Sequence, residues 1–192
     1  NLRRVLADSP DFAPARRLLA QVQMQQGRAQ EAQETLAPLA SAAGASPDVV
    51  LMRARAALAA GDTTGALRLL ERLEEQGVPT EAARLDLAGA YIAAGRSDRA
   101  IKLIDASPGA ASDRAEQVRL IAQAGTDRPA AIRALNEYAE RNAGKVPAVT
   151  FAALTLAALG ETNTARARLE KLAESEPKNA DVQVNLARLE AR

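Results

Sequence analysis

The sequence predicts an all-α protein built from antiparallel helical hairpins that stack into a solenoid. Three observations predict this class. Roughly a quarter of the 192 residues are Ala and only 2% are aromatic, a composition that suits small, closely packed helices better than one large globular core. Glycines recur at nearly constant intervals. After each of them, Ala and a large apolar residue follow at nearly fixed distances.

The repeated glycines are Gly27, Gly61, Gly95, Gly125 and Gly160, at intervals of 34, 34, 30 and 35 residues. Ala follows five residues after the first, second, third and fifth glycines. It follows six residues after Gly125, where Pro129 indicates one inserted residue. The Ala positions are Ala32, Ala66, Ala100, Ala131 and Ala165. Four residues further on, a large apolar residue stands in every unit: Leu36, Leu70, Ile104, Leu135 and Leu169. This register predicts five units of similar structure.

Each repeated glycine separates two helical stretches, so we expect a left-handed residue that ends the first helix and reverses the chain. Prolines and N-capping residues mark the other helix boundaries: Asp11 before Pro14, Ser46 with Pro47, Pro79 with Thr80, Pro108 before Ser112, Pro147, and Pro177 before Asn179. The predicted helices cover residues 12–26, 29–41, 47–60, 63–76, 80–94, 97–106, 112–124, 128–143, 147–159, 162–175 and 179–191. Pro38 is expected to distort the end of the second helix.

The units resemble the tetratricopeptide repeat family. The third unit carries the resemblance best, with Leu87 and Ala88, Tyr91, Gly95, Ala100 and Ile104. Leu19 and Ala20, and Leu186 and Ala187, repeat its opening phrase. The sequence departs from the family pattern at Arg53 and Gln117, which occupy a usual Leu position, and no unit begins with Trp. The resemblance implies a right-handed superhelical solenoid.

Five full repeats and two partial ends account for the whole sequence. The repeats are predicted at residues 13–46, 47–80, 81–110, 111–145 and 146–179, with partial repeats at 1–12 and 180–192. Because the sequence begins and ends inside a repeat, we interpret it as one segment of a longer array. End-to-end self-association of this segment is a further expectation, because its terminal apolar faces lack stacking neighbours.

The composition argues against catalysis and against nucleic acid. The sequence has no His and no Cys, and no phosphate loop, calcium loop or nucleophile elbow can be found. We therefore expect no enzymatic activity, no cofactor and no metal. A net charge of +1 and only four aromatic residues do not favour nucleic acid as a partner.

The resemblance implies a concave groove lined by the first helix of each unit, where a partner peptide or helix would bind. The residues assigned to this groove are Arg17, Gln21, Leu51, Arg55, Leu58, Leu85, Ile92, Arg119, Leu154 and Arg188. Apolar and basic residues alternate along this face and acids are few, which favours a partner with apolar anchors and carboxylates. Three structural alternatives stay open: Arg55 pairs with Asp86 of the next unit, Arg17 is solvated beside Arg16, and Met24 is packing filler.

The predicted function is a non-enzymatic scaffold for protein–protein interaction. The alternative is a passive spacer or self-assembly rod without a groove ligand. The phrases from Pro10 to Ala20 and from Val184 to Glu190 also resemble tetratricopeptide lipoproteins of bacterial PEP-CTERM and exopolysaccharide systems. That resemblance implies a role in envelope protein sorting or polysaccharide export, in the periplasm or at the outer membrane through an anchor outside this segment. A cytoplasmic location is the alternative.

Overall fold

A computed structural model describes residues 2–9, 12–42, 44–78, 80–106 and 112–191, and in this part of the chain every regular element is an α-helix. The helices are α1 (Leu2–Asp8), α2 (Ala13–Gln25), α3 (Ala29–Ser41), α4 (Pro47–Ala59), α5 (Thr63–Glu75), α6 (Glu81–Ala93), α7 (Ser97–Asp105), α8 (Asp113–Ala124), α9 (Arg128–Arg141), α10 (Val146–Ala158), α11 (Thr162–Ser175) and α12 (Ala180–Glu190). Each predicted helix is present, with ends within two residues of those predicted. No helix among the described residues is both long enough and apolar enough to cross a bilayer.

The chain divides into two compact units, residues 1–111 and 112–192. In the first unit, α1 to α7 pack each against the next helix along the chain, and α4 also packs against α6. In the second unit, α8 to α12 pack in the same consecutive manner, and α10 also packs against α12. The predicted all-α class of consecutively packed helical hairpins is therefore confirmed.

The repeated Ala and large apolar positions form the buried seam of each hairpin. All five Ala residues of the register are fully buried, and the five large apolar residues that follow are no more than 1% exposed. Such Ala positions permit close helix approach, because a larger side chain would not fit at protein packing density. The short third interval coincides with a short helix: α7 has nine residues, whereas α3 and α5 have thirteen each.

Four of the five repeated glycines end a helix in the left-handed conformation, as predicted: Gly27, Gly61, Gly95 and Gly160. At Gly61, for example, the next N–H, of Asp62, donates back to the Ala57 carbonyl at 2.8 Å, which is the Schellman arrangement. The prediction is wrong at Gly125, whose φ is −83°. There Asp127 N–H donates to Gln123 only four residues back, so the chain turns without a left-handed residue.

Several predicted helix caps are confirmed. Thr80, Ser112 and Asn179 accept hydrogen bonds from backbone N–H groups three residues ahead. Ser46 precedes α4 but its side chain makes no capping bond. Pro38 lies within α3, which continues to Ser41. The predictions for residues 10, 11, 79, 108 and 192 lie outside the described residues.

Two Gly→Ala substitutions should change stability in opposite directions. Both Gly61 and Gly89 have open space where a Cβ would stand. Gly61→Ala should lower the free energy of unfolding by about 1 to 2 kcal/mol, because its φ of +84° is left-handed. Gly89→Ala should raise it by roughly 0.5 to 1 kcal/mol, because Gly89 lies inside helix α6. Urea denaturation followed by circular dichroism measures both, and equal effects would contradict the assigned turn geometry.

Candidate functional site

A groove of about 360 Å³ lies on the face of the first unit where α2, α4 and α6 present their side chains. We call it the first-unit groove. It is lined by Gln21, Met24, Asp48, Leu51, Met52, Arg55 and Asp86. Four of these follow helical spacing on α4, at positions 48, 51, 52 and 55, so they share one face of that helix. Leu51 and the two half-buried methionines give the groove an apolar floor with polar groups around it.

An ion pair closes one side of this groove. Arg55 Nη2 lies 3.3 Å from Asp86 Oδ1, with both side chains about half exposed, so the structural reading of Arg55 is confirmed. With Asp48 also in the lining, two carboxylates face one guanidinium. The expectation of a basic wall with few acids is therefore wrong for this groove. The charge balance favours a ligand with apolar and cationic groups over one with carboxylates.

A second groove, of about 600 Å³, lies within the second unit between α10 and α12. We call it the second-unit groove. Its lining consists of Val146, Pro147, Thr150, Asn179, Asp181, Val184, Asn185 and Arg188. Val184 is 48% exposed, which makes it one of the more exposed large apolar side chains among the described residues. Asp181 and Arg188 contribute one charge of each sign, so this groove is formally neutral.

The ten predicted groove residues occupy different environments. Gln21, Leu51 and Arg55 line the first-unit groove, and Arg188 lines the second-unit groove. Arg17 is exposed on α2, beside a shallower depression that it shares with Gln21. Leu58 and Ile92 are half-buried, and Leu154 is 39% exposed. Arg119 is half-buried and interacts with another residue.

Two of the predicted contacts are packing residues. Leu85 is only 5% exposed and lines neither groove, and Leu51 is only 4% exposed although it lines one. Both lie on helices that pack against neighbours on several sides. The repeat register alone therefore does not predict how deeply a side chain is buried. Leu85 therefore lies outside both grooves, whereas Leu51 is a buried part of the floor of the first-unit groove.

The sequence reading missed Asp48 and Met52 as groove residues. Their spacing of three and four residues from Leu51 and Arg55 was the available signal, because such neighbours share a helix face. It also missed Asn179 and Asp181, which lie at the beginning of α12. Among the residues that the structure describes, no cluster of acidic side chains could hold a metal ion.

Solved structures share this fold. A tetratricopeptide repeat protein from Parabacteroides merdae is 18% identical, with a TM-score of 0.68 over 99% of this chain and 77% of the other. MamA from Desulfovibrio magneticus RS-1 is 17% identical, with a TM-score of 0.57 over 88% of this chain and 98% of the other. The Naa15/Naa10 structure bound to HypK-THB is 16% identical, with a TM-score of 0.54 over 96% of this chain and 30% of the other.

A comparison with curated protein sequences finds no match. The family model described as tetratricopeptide repeat matches residues 1–56 and again 57–124, which is more than half of the chain. The matched ranges contain the Gly, Ala and large apolar positions of the first three units. The chain therefore belongs to the tetratricopeptide repeat family.

Proposed function

We propose that the chain is a scaffold that binds a segment of a partner protein in the first-unit groove, with the second-unit groove as an additional contact surface. The tetratricopeptide repeat fold supports a protein-interaction role, and members of the family are typically non-enzymatic scaffolds. The observation that carries the proposal is the groove lining: an apolar floor inside a polar rim, the usual anatomy of a protein interface.

The first-unit groove suits a segment with an apolar anchor next to a basic or amide group. Met24 and Met52 have flexible side chains that can repack around an inserted residue. Gln21 offers amide hydrogen bonds at the rim, and Asp48 offers an acceptor for a cationic group. Arg55 is held by Asp86, so it acts here by shaping the rim rather than by binding a carboxylate.

The setting in which this scaffold works is a second part of the proposal. The likeness of two terminal phrases to PEP-CTERM and exopolysaccharide lipoproteins supports a role in envelope protein sorting or polysaccharide export. A periplasmic or outer-membrane-anchored location follows from that role, with a cytoplasmic location as the alternative. Fractionation of native cells with an antibody against the chain tests it, and recovery in the cytosolic fraction alone would contradict it.

Charge reversal in the groove should abolish partner capture. Asp48→Lys would place a second cation beside Arg55, which repels the cationic group of a ligand and removes the acceptor that Asp48 offers it. Affinity purification from native cells should then lose the partners that the wild-type chain recovers. Glu170→Lys, an exposed position on α11, makes the same charge change away from both grooves and should recover them all.

Circular dichroism of both variants establishes that they remain folded. If folded Asp48→Lys recovers the same partners in the same amounts as wild type, the groove proposal fails. The passive spacer or self-assembly rod then takes its place.

A further inference from the structure

A cationic cleft in the first unit is distinct from the first-unit groove. It measures about 370 Å³ and is lined by Gln33, Arg53, Asp62, Gly65, Arg68, Leu69 and Arg72, from α3, α4, α5 and the turn before α5. Arg53 and Arg55 are two residues apart on α4, which rotates their side chains by about 200° around the helix axis. The cleft therefore opens on the side of α4 opposite to the first-unit groove.

The charges in this cleft do not balance. Three guanidinium groups share it with one carboxylate, that of Asp62. Asp62 already accepts bonds from Gly65 N–H at 2.8 Å and from Gln33 Nε2 at 3.0 Å. These bonds, together with Arg68 and Arg53, lower the pKa of Asp62, so it is ionised at neutral pH. Even so, the cleft keeps an excess of two positive charges.

The three arginines gain little from being placed together. Arg68 and Arg72 are four residues apart on α5, a spacing at which like charges repel. Arg72 Nη2 donates to the Ala40 carbonyl at 2.7 Å, and Arg53 Nη1 reaches Ser41 Oγ at 3.4 Å. Among the described residues, Arg68 has no ion-pair partner within 4.0 Å. A bound anion would relieve this repulsion.

Two further observations show that stability alone does not explain the residues of this cleft. The Nε–H groups of Arg53 and Arg72, like those of Arg84 and Arg166 outside the cleft, are enclosed and donate to no acceptor among the described residues, so each is a cost to folding. Arg53 also stands where the resemblance to the family leads one to expect Leu. The other such departure, Gln117, has a structural explanation, because its Nε2 donates to Tyr138 Oη at 3.0 Å.

We propose that this cleft binds an acidic segment of a protein partner, with neighbouring carboxylates paired to Arg53, Arg68 and Arg72. Guanidinium groups bind carboxylates bidentately, and the positive charges are distributed over two helices. A single phosphate placed among the arginines would also meet the Asp62 carboxylate at close range, whereas separate carboxylates can bind on either side of it. The chain's net charge of +1 provides no extended basic surface for nucleic acid.

Fluorescence anisotropy with three labelled peptides tests the proposal on the full chain. The probes have the central sequence Asp-Glu-Glu-Asp, its amide counterpart Asn-Gln-Gln-Asn, and the amide counterpart with one phosphoserine added. We expect the wild-type chain to bind the acidic peptide, to bind it more weakly as salt is raised, and to ignore the amide peptide. Tighter binding of the phosphoserine peptide than of the acidic one would overturn the carboxylate assignment.

Substitutions in the cleft should move the affinity in both directions. Arg68→Gln and Arg53→Leu should each weaken binding of the acidic peptide about tenfold, since each removes one charge-assisted contact. Arg53→Leu should fold at least as well as wild type, because it removes an enclosed, unpartnered donor. Asp62→Asn should tighten binding several-fold. It keeps the helix cap, and the unpartnered Gln33 Oε1 can accept from the new amide after a flip.

Two controls separate this cleft from general charge and from the first-unit groove. Arg133→Gln, exposed on α9, and Arg55→Gln, in the first-unit groove, should both leave affinity for the acidic peptide unchanged. An equal loss in Arg133→Gln, unchanged binding in both Arg68→Gln and Arg53→Leu, or no binding by wild type would each overturn the proposal. None of these results bears on partner capture through the first-unit groove.

Discussion

Tyr91→Ala should lower the free energy of unfolding by about 3 to 5 kcal/mol, the usual cost of removing a fully buried aromatic ring. Tyr91 is completely buried in α6, and its hydroxyl donates to Glu74 Oε2 of α5 at 2.6 Å. Arg99 of α7 donates to the same oxygen at 3.0 Å and lies over the Tyr91 ring, 5.3 Å from its centroid. The side chain therefore joins three consecutive helices of the first unit.

Urea denaturation followed by circular dichroism measures the loss. Tyr91→Phe should cost only about 1.5 kcal/mol, because the ring stays and Glu74 keeps its bond to Arg99. Phe12→Ala, at a ring that is 50% exposed, should cost less than about 1 kcal/mol. A loss for Tyr91→Ala no larger than that for Phe12→Ala would show that Tyr91 does not hold the three helices together.

The same hydroxyl predicts a pH dependence. Burial, followed by the hydrogen bond to Glu74, raises the pKa of Tyr91 above its ordinary value of 10.0. A raised pKa means that the full stabilisation is present below pH 10 and is lost as the unfolded chain deprotonates at higher pH. Wild type should then lose up to about 1.4 kcal/mol more per pH unit above 10 than Tyr91→Phe does. Parallel stability curves for the two proteins would contradict this assignment.

Tyr138→Ala should have a comparable effect in the second unit, again about 3 to 5 kcal/mol. Tyr138 of α9 is 1% exposed, and its ring meets Phe151 of α10 edge-on at 5.9 Å and 82°. Its hydroxyl accepts the Gln117 hydrogen bond from α8. Hydrogen exchange should show lost protection within 112–191. Tyr138→Phe, which keeps the ring contact, should lower the free energy of unfolding by only about 1 kcal/mol. Equal losses for Tyr138→Ala and Tyr138→Phe would contradict this packing role.

Much of the fold could be predicted because the repeat imposes steric demands on particular residues. Ala100 must be small where two helices meet, and Gly61 must adopt a left-handed φ, so both constraints are visible in the sequence. Gly125 failed as a prediction because identity alone does not fix a glycine's conformation. At that turn the Asp127 N–H donates to the carbonyl four residues back, whereas at Gly61 the Asp62 N–H donates to the carbonyl five residues back.

The candidate site was less predictable, because repeat register assigns a side chain to a face but not to a depth. Leu51 and Leu85 were placed on the correct helices and yet are buried. The groove's charge depends on Asp48 together with the Arg55–Asp86 pair, and no one repeat read alone contains all three residues. Departures from the family pattern were more informative, since Arg53 leads directly to the cationic cleft.

Site-specific photo-crosslinking in native cells tests the central claim, that a partner segment occupies the first-unit groove. In the test protein a photoreactive amino acid replaces Gln21, which is exposed in that groove. In the control protein it replaces Gln30, which is exposed on α3 and lines neither groove. We expect that position 21 crosslinks a discrete protein partner, that position 30 does not, and that Asp48→Lys abolishes the crosslink. Equal crosslinking from both positions, or none from position 21 while the chain still co-purifies with its partners, would contradict it.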